Sequence, residues 1–196
     1  MKKLGFNIVL LGMIASGKDT QAEILKSKYA LKSVETGTYT RKLMKEKSKN
    51  GDWARRTAGK GKPLPTALLQ KFLIEEIKNK PKNKNLLFLG GRLKPEAQLL
   101  KKLMDQRKEE ILVFYITLPD KEVYKRSLIR QRNVDDKKYV AKRIKWHKDQ
   151  VGKTVNYYKK LKIIKIINGN QTIPKVTKDI LMYIKNKDPR QNGDLK

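Results

Sequence analysis

The chain contains no cysteine, which excludes disulfides, a thiolate nucleophile and a cysteine-bound zinc ion. Acidic residues are also scarce: 19 Asp+Glu stand against 48 Lys+Arg, leaving a formal charge of +29. That excess excludes a neutral surface and points to polyanionic partners, whether nucleotides, nucleic acid or an anionic membrane face. Lysine outnumbers arginine and is spread along the chain, a pattern that equally fits a habit of solubility. Aromatic and other apolar residues are few, yet above the range of a disordered chain. Long hydrophobic runs are missing as well. The apolar opening segment is broken by Lys18 and Asp19, too early for a membrane span. No acid–base pair or nucleophile–histidine arrangement for hydrolysis or acyl transfer is visible. The expectation is a soluble cytoplasmic monomer of one domain.

Five short apolar runs read as strands, over residues 7–11, 32–35, 86–89, 111–118 and 163–167. The fourth is unbroken, as expected of a strand covered on both faces. Helical patterns fall between them. Leu69, Phe72, Leu73 and Ile77 make one stripe, and Val140, Ile144, Val151, Val155 and Tyr158 another along a helix over 137–159. Ile173, Val176, Ile180 and Tyr183 mark the last helix, and 187–196 reads as a frayed polar tail. Strands alternating with helices predict an α/β fold, a parallel sheet with helices on both faces and ligands at the carboxyl ends of its strands.

The stretch Gly12-Met13-Ile14-Ala15-Ser16-Gly17-Lys18-Asp19-Thr20 carries the most chemistry. Gly, four residues, then Gly-Lys is the spacing of a phosphate-binding loop. Small residues let successive backbone N–H groups converge on phosphate oxygens, and the helix that follows adds its positive N-terminus. Lys18 then reaches the terminal phosphates. The strict pattern wants Ser or Thr directly after the lysine; here Asp19 intervenes and Thr20 follows.

The segment from Gly17 to Leu25, GKDTQAEIL, resembles the adenylate kinase branch of the nucleoside monophosphate kinases, and further matches follow in order. Thr36-Gly37 with Arg41 is similar to the family's acceptor-phosphate motif. Gly61-Lys62-Pro63-Leu64-Pro65 resembles the segment over the acceptor nucleotide, and Gly90-Gly91-Arg92 a second phosphate clamp. Arg126 and Arg130 follow Pro119-Asp120 as two family arginines do. Arg132, then Asp135-Asp136, then Lys142-Arg143-Ile144 match the next motifs, and Asn168-Gly169 the turn against the donor adenine.

The resemblance implies a P-loop three-layer sandwich with a five-stranded parallel sheet, spanning 1–186. Its core is 1–37, 66–130 and 137–186, with a helical acceptor-binding insertion over 38–65 and a short lid over 131–136. Implied for ATP are Gly12, Ala15, Ser16, Gly17, Lys18, Asp19, Thr20, Arg126, Arg130 and Gly169. Implied for the nucleoside monophosphate are Thr36, Gly37, Arg41, Lys62, Leu64, Arg92, Glu96, Arg132 and Arg143. The catalytic cations would be Lys18, Arg92, Arg126, Arg130 and Arg143, with Mg²⁺ accompanying ATP. Arginine suits this work because its planar fork grips phosphate bidentately. Lid and acceptor-binding helices would close over the phosphates and exclude water.

Three departures stand out. Phe88 occupies the position of a metal-ordering acid, and Thr38 replaces another. Asp19 is a new carboxylate beside the loop, which either holds Mg²⁺ through water or simply charges the helix start. Glu96 replaces the glutamine that reads adenine; a carboxylate only accepts, which suits guanine's adjacent donors, unless a slip in register brings Gln98 into play or Glu96 is merely solvated. AMP remains the first expectation for the acceptor, with another monophosphate or a weakened nucleotide-binding relative as alternatives. Trp53 and Trp146 read as packing residues and His147 as a surface or satisfied helix residue. Without an aromatic-interleaved basic motif, nucleic acid is an allowed but disfavoured partner.

Overall fold

The structure, a computed structural model, describes residues 1–58, 64–90, 93–129 and 137–188. Five strands form one parallel sheet in the order β2-β3-β1-β4-β5: β1 Phe6–Gly12, β2 Leu31–Val34, β3 Asn85–Phe88, β4 Glu110–Thr117 and β5 Ile164–Asn168. Each coincides with an expected strand to within one residue, because an apolar run bounded by polar turns has few other places to go. β1 is buried along its whole length, hydrogen-bonded to β3 on one side and β4 on the other.

Alternation along β1 builds the layers. Phe6, Ile8 and Leu10 pack with Ala22 and Leu25 of α1 (Lys18–Lys28) and with Val176, Ile180 and Ile184 of the C-terminal helix Ile173–Lys187. Val9 and Leu11 face the other way, with Leu73 and Ile77 of the helix Thr66–Lys78 and Leu100 and Met104 of the helix Lys94–Gln106. The three-layer α/β arrangement is thus as expected. Gln21 bonds α1 to the C-terminal helix, donating to the Ile173 carbonyl and accepting from Thr177.

Between β2 and the helix Thr66–Lys78 lie α2 (Thr36–Met44) and α3 (Lys49–Ala58), which share a small apolar cluster of Leu43, Ala54, Leu64 and Leu69. Gly51 is required there, since a Cβ would stand 2.1 Å from the Glu46 carbonyl oxygen. In chain order, α4 is Thr66–Lys78, α5 Lys94–Gln106 and α6 Asp120–Ile129.

The long helix expected over 137–159 is observed as α7 (Lys137–Trp146) and α8 (Gly152–Lys160), joined by a π turn over His147–Val151. The wider turn shifts the phase of the apolar stripe. Val140 and Ile144 join Met13, Leu118 and Val123 in one cluster, while Tyr158 enters the sheet-facing core. His147, within the turn, is buried and shares a 3.1 Å hydrogen bond with the Tyr115 hydroxyl, so it is a satisfied helix residue and not a surface one. Burial raises the Tyr115 pKa.

The tail begins later than expected. Lys187 completes α9 (Ile173–Lys187), and Asp188 is buried, accepting a 3.0 Å bond from the Gly5 N–H. Positions 189–196 and the lid over 131–136 lie outside the described residues.

At the amino edge of the sheet, Asn7 is fully buried; its Oδ1 accepts from the Leu86 N–H, and its Nδ2 donates to Glu109 at 2.9 Å. Glu109 also accepts from Lys80 and Arg107. Burial pushes its carboxyl pKa up, but these donors outweigh burial and hold it below the usual value. A depressed carboxylate stabilises the fold above its unfolded pKa and loses that contribution as pH falls through the folded value. Glu109→Gln is therefore expected to lower the urea midpoint at about pH 7, and the difference is expected to shrink as pH falls through the folded Glu109 pKa, where the wild type loses the charge as well.

Candidate functional site

All five strands point the same way, so their carboxyl ends share one edge. Gly12, the Thr36 start of α2, Leu89-Gly90, Leu118 and Gly169 all lie along it. The chain leaves β1 towards β2 and leaves β4 towards β5, which opens a crevice beside β1 at this edge.

The loop from Gly12 to Lys18 fills that crevice. A Cβ on Gly12 would lie 2.5 Å from Ser16 Oγ and 3.0 Å from the Ile116 carbonyl oxygen, so the turn closes only over glycine. Ser16 donates its backbone N–H to the Met13 carbonyl at 3.2 Å, and its Oγ is buried with no hydrogen-bond partner among the described residues. Ala15 has φ 58° and Gly17 φ 87°, two left-handed residues that turn successive N–H groups inward. For Ala15 that backbone carries strain. Gly17 serves as the N-cap of α1, whose positive end faces the loop.

Lys18 and Asp19 form an ion pair of 2.9 Å, with Lys18 largely enclosed and Asp19 exposed in the first helical turn. Thr20 is exposed beside them. Asp19 thus complements both the helix start and its lysine neighbour. No cluster of three or more metal-binding side chains occurs among the described residues. One carboxylate and one hydroxyl next to a phosphate cradle nevertheless fit the donor set of Mg²⁺, which keeps several waters and takes the rest of its ligands from phosphate.

Gly169 lies against this loop. Its N–H donates to the Thr117 carbonyl at 2.8 Å, and a Cβ there would lie 2.6 Å from that oxygen and 3.2 Å from the Ser16 carbonyl. Arg126 of α6 donates to the Gly169 carbonyl at 3.2 Å and pairs with Glu122. The structure therefore gathers Gly12, Ser16, Gly169 and Arg126 into one rim.

On the neighbouring strand ends, Thr36 is buried against Gly90, where a Cβ would lie 2.5 Å from its methyl group. Arg41, one turn along α2, donates to Thr38 Oγ1 at 2.8 Å, and Thr38 donates to Glu35 at 2.7 Å. The hydroxyl at position 38 thus links a guanidinium to a carboxylate three residues upstream. Sequence reasoning registered position 38 only as a missing acid; the i, i+3 spacing of Glu35, Thr38 and Arg41 on one helix face was the available signal.

Glu96 is 2% exposed in the first turn of α5, so it is buried and not solvated; burial foremost, then Tyr157 and Glu96, raises the pKa of Tyr158. Leu64 is packed in the α2–α3 cluster. Arg143 of α7 stacks its guanidinium 5.8 Å over the Trp146 ring, whereas Trp53, expected to pack, is 50% exposed. Arg92, Arg130, Arg132 and Lys62 lie outside the described residues.

A glycine-gated amide cradle at the head of a parallel sheet defines a nucleotide-binding P-loop protein. The family model described as adenylate kinase matches residues 10–163, and the chain belongs to that family. It is similar to an adenylate kinase of Azobacteroides pseudotrichonymphae genomovar. CFP2, 30% identical over 92% of this chain and 97% of the relative. An adenylate kinase of Flavobacterium psychrophilum is 29% identical over 92% and 98%, and one of Bacteroides thetaiotaomicron 27% identical over 89% and 95%. The chain is accordingly a phosphotransferase with a nucleotide-binding site.

Two substitutions test the loop. Ala15→Gly removes the left-handed penalty at a smaller entropic cost and is expected to stabilise by roughly 1 kcal/mol, or about 2–4 °C in Tm. Gly169→Ala forces a backbone shift and is expected to destabilise by about 1–3 kcal/mol, read by the same thermal melt.

Proposed function

We propose that the chain transfers the γ-phosphoryl group of ATP to a nucleoside monophosphate, with AMP as acceptor. The observation that carries this reading is the amide cradle at Gly12–Lys18 with the Thr36–Arg41 corner on the same sheet edge. One polyphosphate and one monophosphate would meet between them. The terminal P–O bond of ATP breaks as a bond forms from an acceptor phosphate oxygen to the same phosphorus, and no protein atom joins covalently.

The cradle amides and Lys18 hold the donor phosphates, Arg126 bridges them to the Gly169 turn, and Arg41 grips the acceptor phosphate. Arg92, Arg130 and Arg143 supply further positive charge to the equatorial oxygens, with Arg132 beside them. Lys62 and Leu64 belong to the acceptor side. Asp19 and Thr20 would hold Mg²⁺, which neutralises charge on the phosphates when bound. Activity needs no membrane, and among the described residues no helix is long and apolar enough to cross one. A cytoplasmic monomer fits this chemistry.

A second reading rests on Glu96. A buried carboxylate accepts hydrogen bonds only, and guanine offers two adjacent donors where adenine offers a mixed edge. A panel of AMP, GMP, CMP and UMP with ATP separates the two: faster ADP formation with AMP supports the first, with GMP the second.

Lys18→Ala is expected to lower kcat by about 10²–10³ with the fold intact by circular dichroism. Thr38→Val frees Arg41 from its partner and is expected to raise the acceptor KM about tenfold with little change in the ATP KM. A Lys18→Ala protein of undiminished turnover would remove this reading.

A further inference from the structure

The outer face of α3 lies within the acceptor-binding insertion but carries none of the residues assigned to ATP or to the acceptor. Ala54 turns inward to the insertion's apolar cluster and Gly51 is pressed against the Glu46 and Leu43 carbonyls, which leaves Trp53 outward and half-exposed. Lys49 precedes Trp53 by four residues and Arg56 follows it by three, so both flank the indole on one helix face. With Asp52, these residues line a surface depression of about 320 Å³.

The acid in this depression is already neutralised. Asp52 accepts from Arg55 at 2.5 Å, and Arg55 also donates to the carbonyl oxygens of Met44 and Glu46. No ion pair ties down Lys49 or Arg56 among the described residues, and both are exposed. Lys42, Lys45 and Lys47, exposed just before α3, extend the positive surface.

An exposed aromatic plane between two cations matches a specific ligand chemistry. Bases stack on an indole whatever their sequence, and phosphates spaced along a strand meet the flanking charges. A membrane surface suits the patch less well, because Trp53 is the one large apolar side chain α3 exposes and interfacial helices need an apolar face. A second copy of the chain is disfavoured by its own +29 charge.

We propose that α3 binds single-stranded nucleic acid, with Trp53 as the stacking platform and Lys49 and Arg56 as phosphate contacts. This revises the expectation that no aromatic-interleaved basic surface exists. Helical spacing hides it in the sequence, where Lys49, Trp53 and Arg56 are not adjacent.

The test is fluorescence anisotropy of a labelled ten-nucleotide oligo(dT) with the full chain across a salt series, alongside kinase assays of every variant. Trp53→Ala is expected to weaken binding about tenfold, with Trp53→Phe retaining most of it. Lys49→Gln with Arg56→Gln is expected to flatten the log–log salt slope by about 1.4, two single-strand phosphate contacts. Kinase activity should stay unchanged in all three. A duplex of equal length should bind more weakly, since its bases are not free to stack. Wild-type affinity in both Trp53→Ala and the double variant would overturn the proposal, as would displacement of the oligonucleotide by saturating ATP. Failure of all variants to lose binding while polyglutamate competes equally would assign the effect to diffuse charge, which also overturns it.

Discussion

Ser16 and the Ile116 carbonyl occupy the space into which a side chain at Gly12 would project, and this crowding organises the carboxyl edge of the sheet. β1 is central and fully buried, so the chain emerging from it has no freedom to swing outward. It must turn at once, through two left-handed residues, and enter α1 with its N–H groups converging on one point. Gly169 repeats the constraint from the opposite side, pressed against Thr117 and Ser16 by backbone contact. The cradle is thus fixed by main-chain packing, with Lys18 at its end and Arg126 bonded to the Gly169 carbonyl on its rim.

The two edges of the sheet divide the labour. The amino edge is closed by Asn7, Glu109, Lys80 and Arg107, whose side chains bond to one another across it. The carboxyl edge holds buried but unspent hydrogen-bonding capacity at Ser16 and strained backbone at Ala15. Parallel strands make this asymmetry unavoidable, since every crossover returns to the same end.

The strands were legible because their apolar runs are short, bounded and alternate with helical stripes; the phosphate loop was legible because spacing alone encodes its backbone. What escaped notice depends on tertiary placement. The burial of Glu96 depends on how α5 meets the sheet and α8, which no local pattern records. The exposure of Trp53 follows from Gly51 and Ala54 taking the inward face of a short helix, where a tryptophan reads by default as core. Asp188 looked like tail because its partner, the Gly5 N–H, is at the other end of the chain. The Thr38 hydroxyl had meaning only beside Glu35 and Arg41 together.

The π turn at His147–Val151 gives one continuous helix two allegiances. Its second half is fastened to the sheet through Tyr158, while its first half leans on Met13, just inside the cradle, and on Leu118 at the end of β4. Arg143 rides on the first half. Its placement is therefore referenced to the neighbourhood of the Gly12–Lys18 loop, through the packing of Val140 and Ile144 on Met13 and Leu118.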